Sequence, residues 1–192
     1  AGVLQVPMAI SVWDDGYGIS VPAKYQTTKE NISTILAGFQ TDENGQGYDI
    51  YKVKGWDYAA LCETYKTAIS KSRKNHSPAL IHVVEMTQPQ GHSTSGSHER
   101  YKSKERLKWE DDFDCIAKMK EWMITKSIAT IEQIEEEEKG SLDYVKKCQK
   151  EAWDAYLNPI KADRDAAVIA LESSGNEIAL AAAKELKSNT NP

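Results

Sequence analysis

Two strand-like runs separated by one helix's length constrain this chain more than any other feature. "YDIYKVK" at residues 48–54 and "ALIHVVEM" at 79–86 are rich in Val and Ile. The stretch between them, 57–74, sets Leu61, Tyr65, Ala68 and Ile69 at helical spacing. Strand, crossover helix, strand is a βαβ unit, which calls for a parallel sheet and a right-handed connection. Asp57 is expected to cap the helix and "KNHSP" to end it. A third apolar run at 6–12 alternates little and reads as a strand buried on both faces. Residues 31–39 read as a shorter helix, with "TDENGQG" as the turn after it.

The texture changes after Met86. Residues 87–103 carry Pro, Gly, His and many hydroxyls with no hydrophobic period, and a loop of that length is functional or disordered. Asp112 is expected to cap a helix bearing Ile116, Met119, Met123 and Ile124. Thr130 and Gln133 form a capping box for a second helix through Leu142, Val145, Cys148 and Tyr156, with a break at Asn158-Pro159. The remainder is Ala-rich, with a break at "SSGN". Three strands with one crossover make a poor free-standing domain, so the chain reads as part of a larger fold whose missing portion precedes residue 1. The expected division is 1–105 for a partial α/β domain with its loop at 87–105, 106–160 for a helical extension, and 161–192 for a linker and polar tail.

Composition narrows the classes of partner. A net charge of −5 leaves no basic footprint for nucleic acid. No window is apolar enough for a membrane span, and the start lacks the basic leader of a signal peptide. Cys62, Cys115 and Cys148 are widely spaced with no CxxC, which fits small core residues in a reducing compartment; a cytoplasmic location is expected.

Two segments carry chemistry. "DDGYGIS" at 14–20 follows the first strand, and a carboxylate, a glycine and an open backbone carbonyl at a strand end suit a hard cation. An acidic turn that simply closes the strand would look the same. "QGHSTSGSHERY" at 90–101 offers a loop imidazole, His92, beside the hydroxyls of Ser93, Thr94 and Ser95; a solvated polar loop is the bland alternative. Without a GxSxG elbow or an acid partner, a hydrolase triad is unsupported. His76, His82 and His98 read as structural or exposed.

In order and spacing, "VPMAISVWDDGYGISVPAKYQ", "VKGWD", "PALIHVVEM" and "GHSTS" resemble the alpha chain of thiamine-diphosphate-dependent 2-oxo acid dehydrogenases, over residues 1–157. The resemblance implies an α/β fold: the C-terminal part of a parallel-sheet thiamine diphosphate-binding domain with a helical C-terminal extension. It implies oxidative decarboxylation of a 2-oxo acid, with the acyl unit passed to a lipoyl-bearing acyltransferase component. It implies a beta chain, or a fused beta half, that completes the pocket. The cofactors would be thiamine diphosphate and Mg²⁺. By position, Asp15 would hold the metal through its side chain and Tyr17 through its backbone carbonyl. Gly18 and Ile19 would complete the cofactor-binding turn. His92 would be the catalytic proton carrier beside the cofactor, and Ser93 would lie with it and match the serine phosphorylated in mitochondrial relatives.

Departures from the family pattern are as informative. The closing Asn-Asn pair is Asp14-Asp15 here, which adds negative charge beside the ion. The opening Gly-Asp-Gly, whose aspartate is a further ligand, does not occur. Tyr101-Lys102 replaces Tyr-Arg, and Gly96 stands in place of an acid, which puts the loop's anchoring contacts in question. Thr94 favours a branched-chain substrate over pyruvate. An acetoin dehydrogenase, a transketolase-like enzyme and a non-catalytic scaffold of the same fold are the rivals, and the isolated chain is expected to be inactive.

Overall fold

The computed structural model describes residues 1–92 and 98–188. The chain divides into two units, Ala1–Ala129 and Thr130–Pro192. In the first, β1 (Ala9–Trp13) leads into a small antiparallel hairpin of β2 (Tyr17–Gly18) and β3 (Val21–Pro22). A single turn, α1 (Ile32–Ile35), continues as a 3₁₀ turn over Leu36–Phe39, where one longer helix was expected. Then come β4 (Asp49–Lys54), α2 (Tyr58–Asn75), β5 (Ala79–Val84), α3 (Lys104–Asp112) and α4 (Cys115–Thr125). The second unit is α5 (Ile131–Ser173) and α6 (Glu177–Ser188), which pack on one another and bury Val168 and Ala183.

The βαβ unit stands as the sequence requires. β5 lies between β1 and β4 and is parallel to both, with Ala9 and Asp49 each opposite Ala79. Asp57 caps α2 by accepting the Ala60 N–H, and His76 ends it in a left-handed conformation. Residues alternate across a strand. Ile81 and Val83 of β5 accordingly join Val53 and Ala68 in the core beneath α2, while Leu80 and His82 point to the other face. There Leu80 shares a small cavity with Ile10, Leu36, Phe39, Tyr48 and Ile50. Asp49 is a buried anchor at the start of β4: its carboxylate accepts from Thr41, Lys71 and Ser77, and holds the Lys71 ammonium above its usual pKa.

Several expectations are corrected. The doubly buried strand is β5; β1 is an edge strand whose residues alternate between exposed and half-buried, because among the described residues it has a neighbour on one side only. Asp112 is the last residue of α3, and Asp114 caps the helix that follows, accepting the Ile116 and Ala117 N–H groups. The Thr130 capping box is present. Pro159 does not break α5, which continues to Ser173: good helix formers before it and an Ala-rich stretch after it outweigh the one lost hydrogen bond. The chain pauses instead at Ser174–Asn176, as "SSGN" suggests. Of the cysteines, Cys62 is exposed and the other two half-buried, so none is a fully buried core residue. No helix among the described residues is long and apolar enough to cross a membrane.

Candidate functional site

At the carboxyl ends of β1, β4 and β5 lies a cleft of 1150 Å³ whose lining includes Asp14, Asp15, Gly16, Lys54, Glu85 and Arg106. Parallel sheets present ligands at this end. The turn after β1 forms one rim. Asp14 Oδ1 accepts the Gly16 N–H at 2.8 Å and Asp15 Oδ1 accepts the Tyr17 N–H at 3.0 Å, two successive side-chain-closed turns. Gly16 sits at φ 80°, a conformation that costs glycine nothing. The Asp14 N–H donates to the Val83 carbonyl, and the Met86 N–H donates to the Asp14 carbonyl, so the turn is stitched to the end of β5.

Asp14 and Asp15 are not equivalent. Asp14 spends its second oxygen on His82, whose Nε2 donates to Oδ2 at 2.9 Å; His82 is fully buried, and its Nδ1 lies 3.0 Å from Ser33 Oγ. Asp15 Oδ2 takes no part in closing the turn. The Tyr17 carbonyl is also turned outward. The Ala23 N–H donates to the Gly16 carbonyl, so Tyr17 and its opposite number Pro22 occupy a non-hydrogen-bonded position of the hairpin. One carboxylate oxygen and one backbone carbonyl are hard donors that fit Mg²⁺, an ion that takes one or two carboxylates and fills its octahedron with water and phosphate oxygens. They make a half-set. Among the described residues no three His, Cys, Asp or Glu side chains cluster as a metal site.

Beneath the turn sits a cluster of buried charge. Lys102 Nζ donates to both Glu110 oxygens at 2.8 and 2.7 Å, and Arg106 Nε donates to Glu110 Oε1 at 2.7 Å. Arg106 Nη2 then reaches the Asp15 carbonyl at 2.7 Å. Both cations lie over the Tyr17 ring, 5.3 and 5.4 Å from its centroid, and Tyr101 packs beside it at 5.8 Å. Lys102 also donates to the Gln88 carbonyl, which ties the segment after β5 to the same cluster. The lysine that replaces the family's arginine is therefore itself an anchor. Farther along the cleft, Trp56 Nε1 donates to Glu85, and the Trp56 ring packs tilted on Phe113, which stacks on Trp109.

Asp15, Tyr17, Gly18 and Ile19 thus share one turn and hairpin. The Gly18 carbonyl accepts from Gln26, and Ile19 is exposed at φ 60°, a strained position for a β-branched residue. His92 is exposed on the segment after β5, just past Gly91, which is buried at φ 69°. Ser93, Thr94 and Gly96 lie outside the described residues. Sequence reasoning flagged Lys102 only as a departure from the family and missed Arg106 and Glu110, although their spacing of four was a usable signal for one face of α3. It also missed the role of His82. Replacing His82 by leucine strands Asp14 Oδ2, and an expected loss of about 1–3 kcal/mol is measurable by urea denaturation.

Comparison with known proteins adds one match: the family model described as Dehydrogenase E1 component covers residues 1–161. No curated protein matches the chain.

Proposed function

The chain belongs to the dehydrogenase E1 component family, a component of thiamine-diphosphate-dependent 2-oxo acid dehydrogenases, and from that premise we propose how its own residues serve the reaction. Asp15 and the Tyr17 carbonyl would hold Mg²⁺, which would supply positive charge against the diphosphate of the cofactor. The observation that carries this reading is the asymmetry of the turn: Asp14 is consumed by Gly16 and His82, while Asp15 keeps an oxygen and Tyr17 a carbonyl free of the hairpin ladder. His82 also gives the carboxylate of Asp14, which stands where the family has asparagine, a buried hydrogen-bond partner. Gly18 and Ile19 would shape the hairpin on the cofactor side of the turn.

Bound thiamine diphosphate supplies the electron sink for decarboxylation. The chain orients that group, and Arg106 fixes the backbone of the turn through the Asp15 carbonyl. His92 moves a proton as the acyl unit leaves for the lipoyl arm, a task suited to an imidazole. Ser93 belongs to the same loop. The family's opening Gly-Asp-Gly does not occur in these 192 residues, so we place its aspartate, with the beta half of the pocket, in sequence outside them. Within the chain, 1–105 serve as the cofactor half, 106–160 as its helical extension, and 161–192 as a linker.

For the substrate, we favour 2-oxoisovalerate and its branched-chain relatives over pyruvate, on the strength of Thr94 in the His92 loop. Assay of the assembled enzyme should give a kcat/KM for 2-oxoisovalerate above that for pyruvate. A pocket that distinguishes the extra methyl groups is expected to give a ratio of roughly 10–200. A ratio below one reverses the assignment, and no turnover with either substrate favours the scaffold reading.

A further inference from the structure

Arg106 has donors to spare. Its Nε donates to Glu110 and its Nη2 to the Asp15 carbonyl, each at 2.7 Å. The remaining nitrogen, Nη1, has no hydrogen-bond partner among the described residues. It lies beside Gly16, where a Cβ would stand 3.9 Å from it, and Gly16 brings no side chain against it. The guanidinium is also held still: it lies over the Tyr17 and Trp109 rings, 5.4 and 4.7 Å from their centroids. A fork fixed in this way loses little freedom when it takes an anion.

Charge points the same way. Lys102 and Arg106 share the single carboxylate of Glu110, so the cluster keeps one positive charge in excess. Its other partners, the Gln88 and Asp15 carbonyls, are neutral. The Lys102 side chain is sealed in, whereas that of Arg106 is 27% exposed and lines the cleft, so the excess reaches the cleft through Arg106. The other cations of the cleft stand elsewhere. Lys54 pairs with Glu85, and Lys52 lies on β4, two strands across from β1.

The turn that Arg106 grips says which anion. It carries the hard donors assigned to Mg²⁺, an ion that fills its shell with phosphate oxygens. A diphosphate drawn there meets two aspartates where the family has asparagines, and their charge opposes it. Arginine suits phosphate, because its N–H groups match the spacing of the oxygens.

We propose that Arg106 is a cofactor-binding residue: its Nη1 donates to the diphosphate and offsets the negative charge of the Asp14–Tyr17 turn. The inference rests on the magnesium-diphosphate reading given above and adds a ligand from α3 to it.

The test uses the assembled enzyme, with the longer chain and its beta half, as wild type, Arg106→Gln, Arg106→Lys and Asp15→Ala. Calorimetry reads thiamine diphosphate binding at saturating Mg²⁺, and electron paramagnetic resonance reads Mn²⁺ binding without cofactor. Arg106→Gln is expected to bind the cofactor roughly 10–100-fold more weakly, the loss of a hydrogen bond to a charged group. It should bind Mn²⁺ alone at least as tightly as wild type, because a nearby positive charge has gone. Arg106→Lys keeps the charge without the fork and should fall between the two. It reads the same contact if the glutamine variant folds poorly. Unchanged cofactor affinity in both Arg106 variants overturns the proposal. A parallel loss of Mn²⁺ and cofactor binding also overturns it, since Arg106 would then only brace the turn. Asp15→Ala tests the metal assignment separately: it should weaken both ligands, and Mn²⁺ binding indifferent to it removes the magnesium reading itself.

Discussion

Glu110→Ala is expected to cost the chain about 3–5 kcal/mol, the usual penalty for leaving a buried ion without its partner. The side chains of Lys102 and Glu110 are each 1% exposed, so removal of the carboxylate leaves an ammonium in the interior that water cannot reach. Arg106 loses its Glu110 contact at the same time, and with it the bracing that carries its other guanidinium nitrogen to the Asp15 carbonyl. At roughly 2–4 °C per kcal/mol for a chain of this size, thermal denaturation should show a fall in Tm of about 6–20 °C. The double replacement Lys102→Met with Glu110→Leu separates charge from volume: it removes both ions together and should return to within about 1 kcal/mol of wild type. A Glu110→Ala protein no less stable than one with the exposed Glu63 replaced would show that the cluster does not hold the turn.

His92→Ala carries the second large effect, and it falls on a rate. Acyl transfer to the lipoyl arm should drop about 10²–10⁴-fold, the range expected when a positioned proton carrier is removed. Affinity for the magnesium-cofactor pair should move less than about twofold, because the ligands assigned to the metal lie on the turn after β1 and not on the loop. Single-turnover measurement of acyl transfer, alongside equilibrium cofactor binding, distinguishes the two. An unchanged transfer rate removes His92 from the mechanism. A parallel collapse of cofactor binding would make it a ligand or a structural residue.

The parts legible in the sequence were those whose signal is local. The β4–α2–β5 unit could be read because Val and Ile runs, a helical period and the Asp57 cap all agree within a short stretch. The same holds for the Thr130 capping box. β1 was misjudged because burial of an edge depends on what lies beside it in space, and an apolar run is the same string whether it is flanked on one side or two. α3 was passed over because "KERLKWEDD" has almost no apolar period. Its inner face is secured by ions, Arg106 and Glu110, and sequence arithmetic assigns such residues to solvent. Asp112 and Asp114 are equally good caps on paper, and only the backbone between α3 and α4 decides for Asp114.

At the site, "DDGYG" suggested a cation turn, with a plain strand-closing turn as the alternative, but not which aspartate was free. That depends on His82, 68 residues away, which claims Asp14 from the neighbouring strand. The replacement of the family's asparagines by two acids therefore has a partial answer in the fold. One of the added charges is met by a buried imidazole, and the other faces the cleft where a cation would sit.

If the turn from Asp14 to Tyr17 is one half of a magnesium and diphosphate site, calorimetric titration of thiamine diphosphate with and without Mg²⁺ should expose the halves. The titration is run on this chain, on a longer chain that includes the family's Gly-Asp-Gly, and on the longer chain with Asp15→Ala. Only the longer wild-type chain should bind, in a magnesium-dependent way, and Asp15→Ala should weaken that binding by roughly 100-fold or more. Tight binding by the 192 residues alone, or binding by the longer chain that ignores Asp15→Ala, would contradict it.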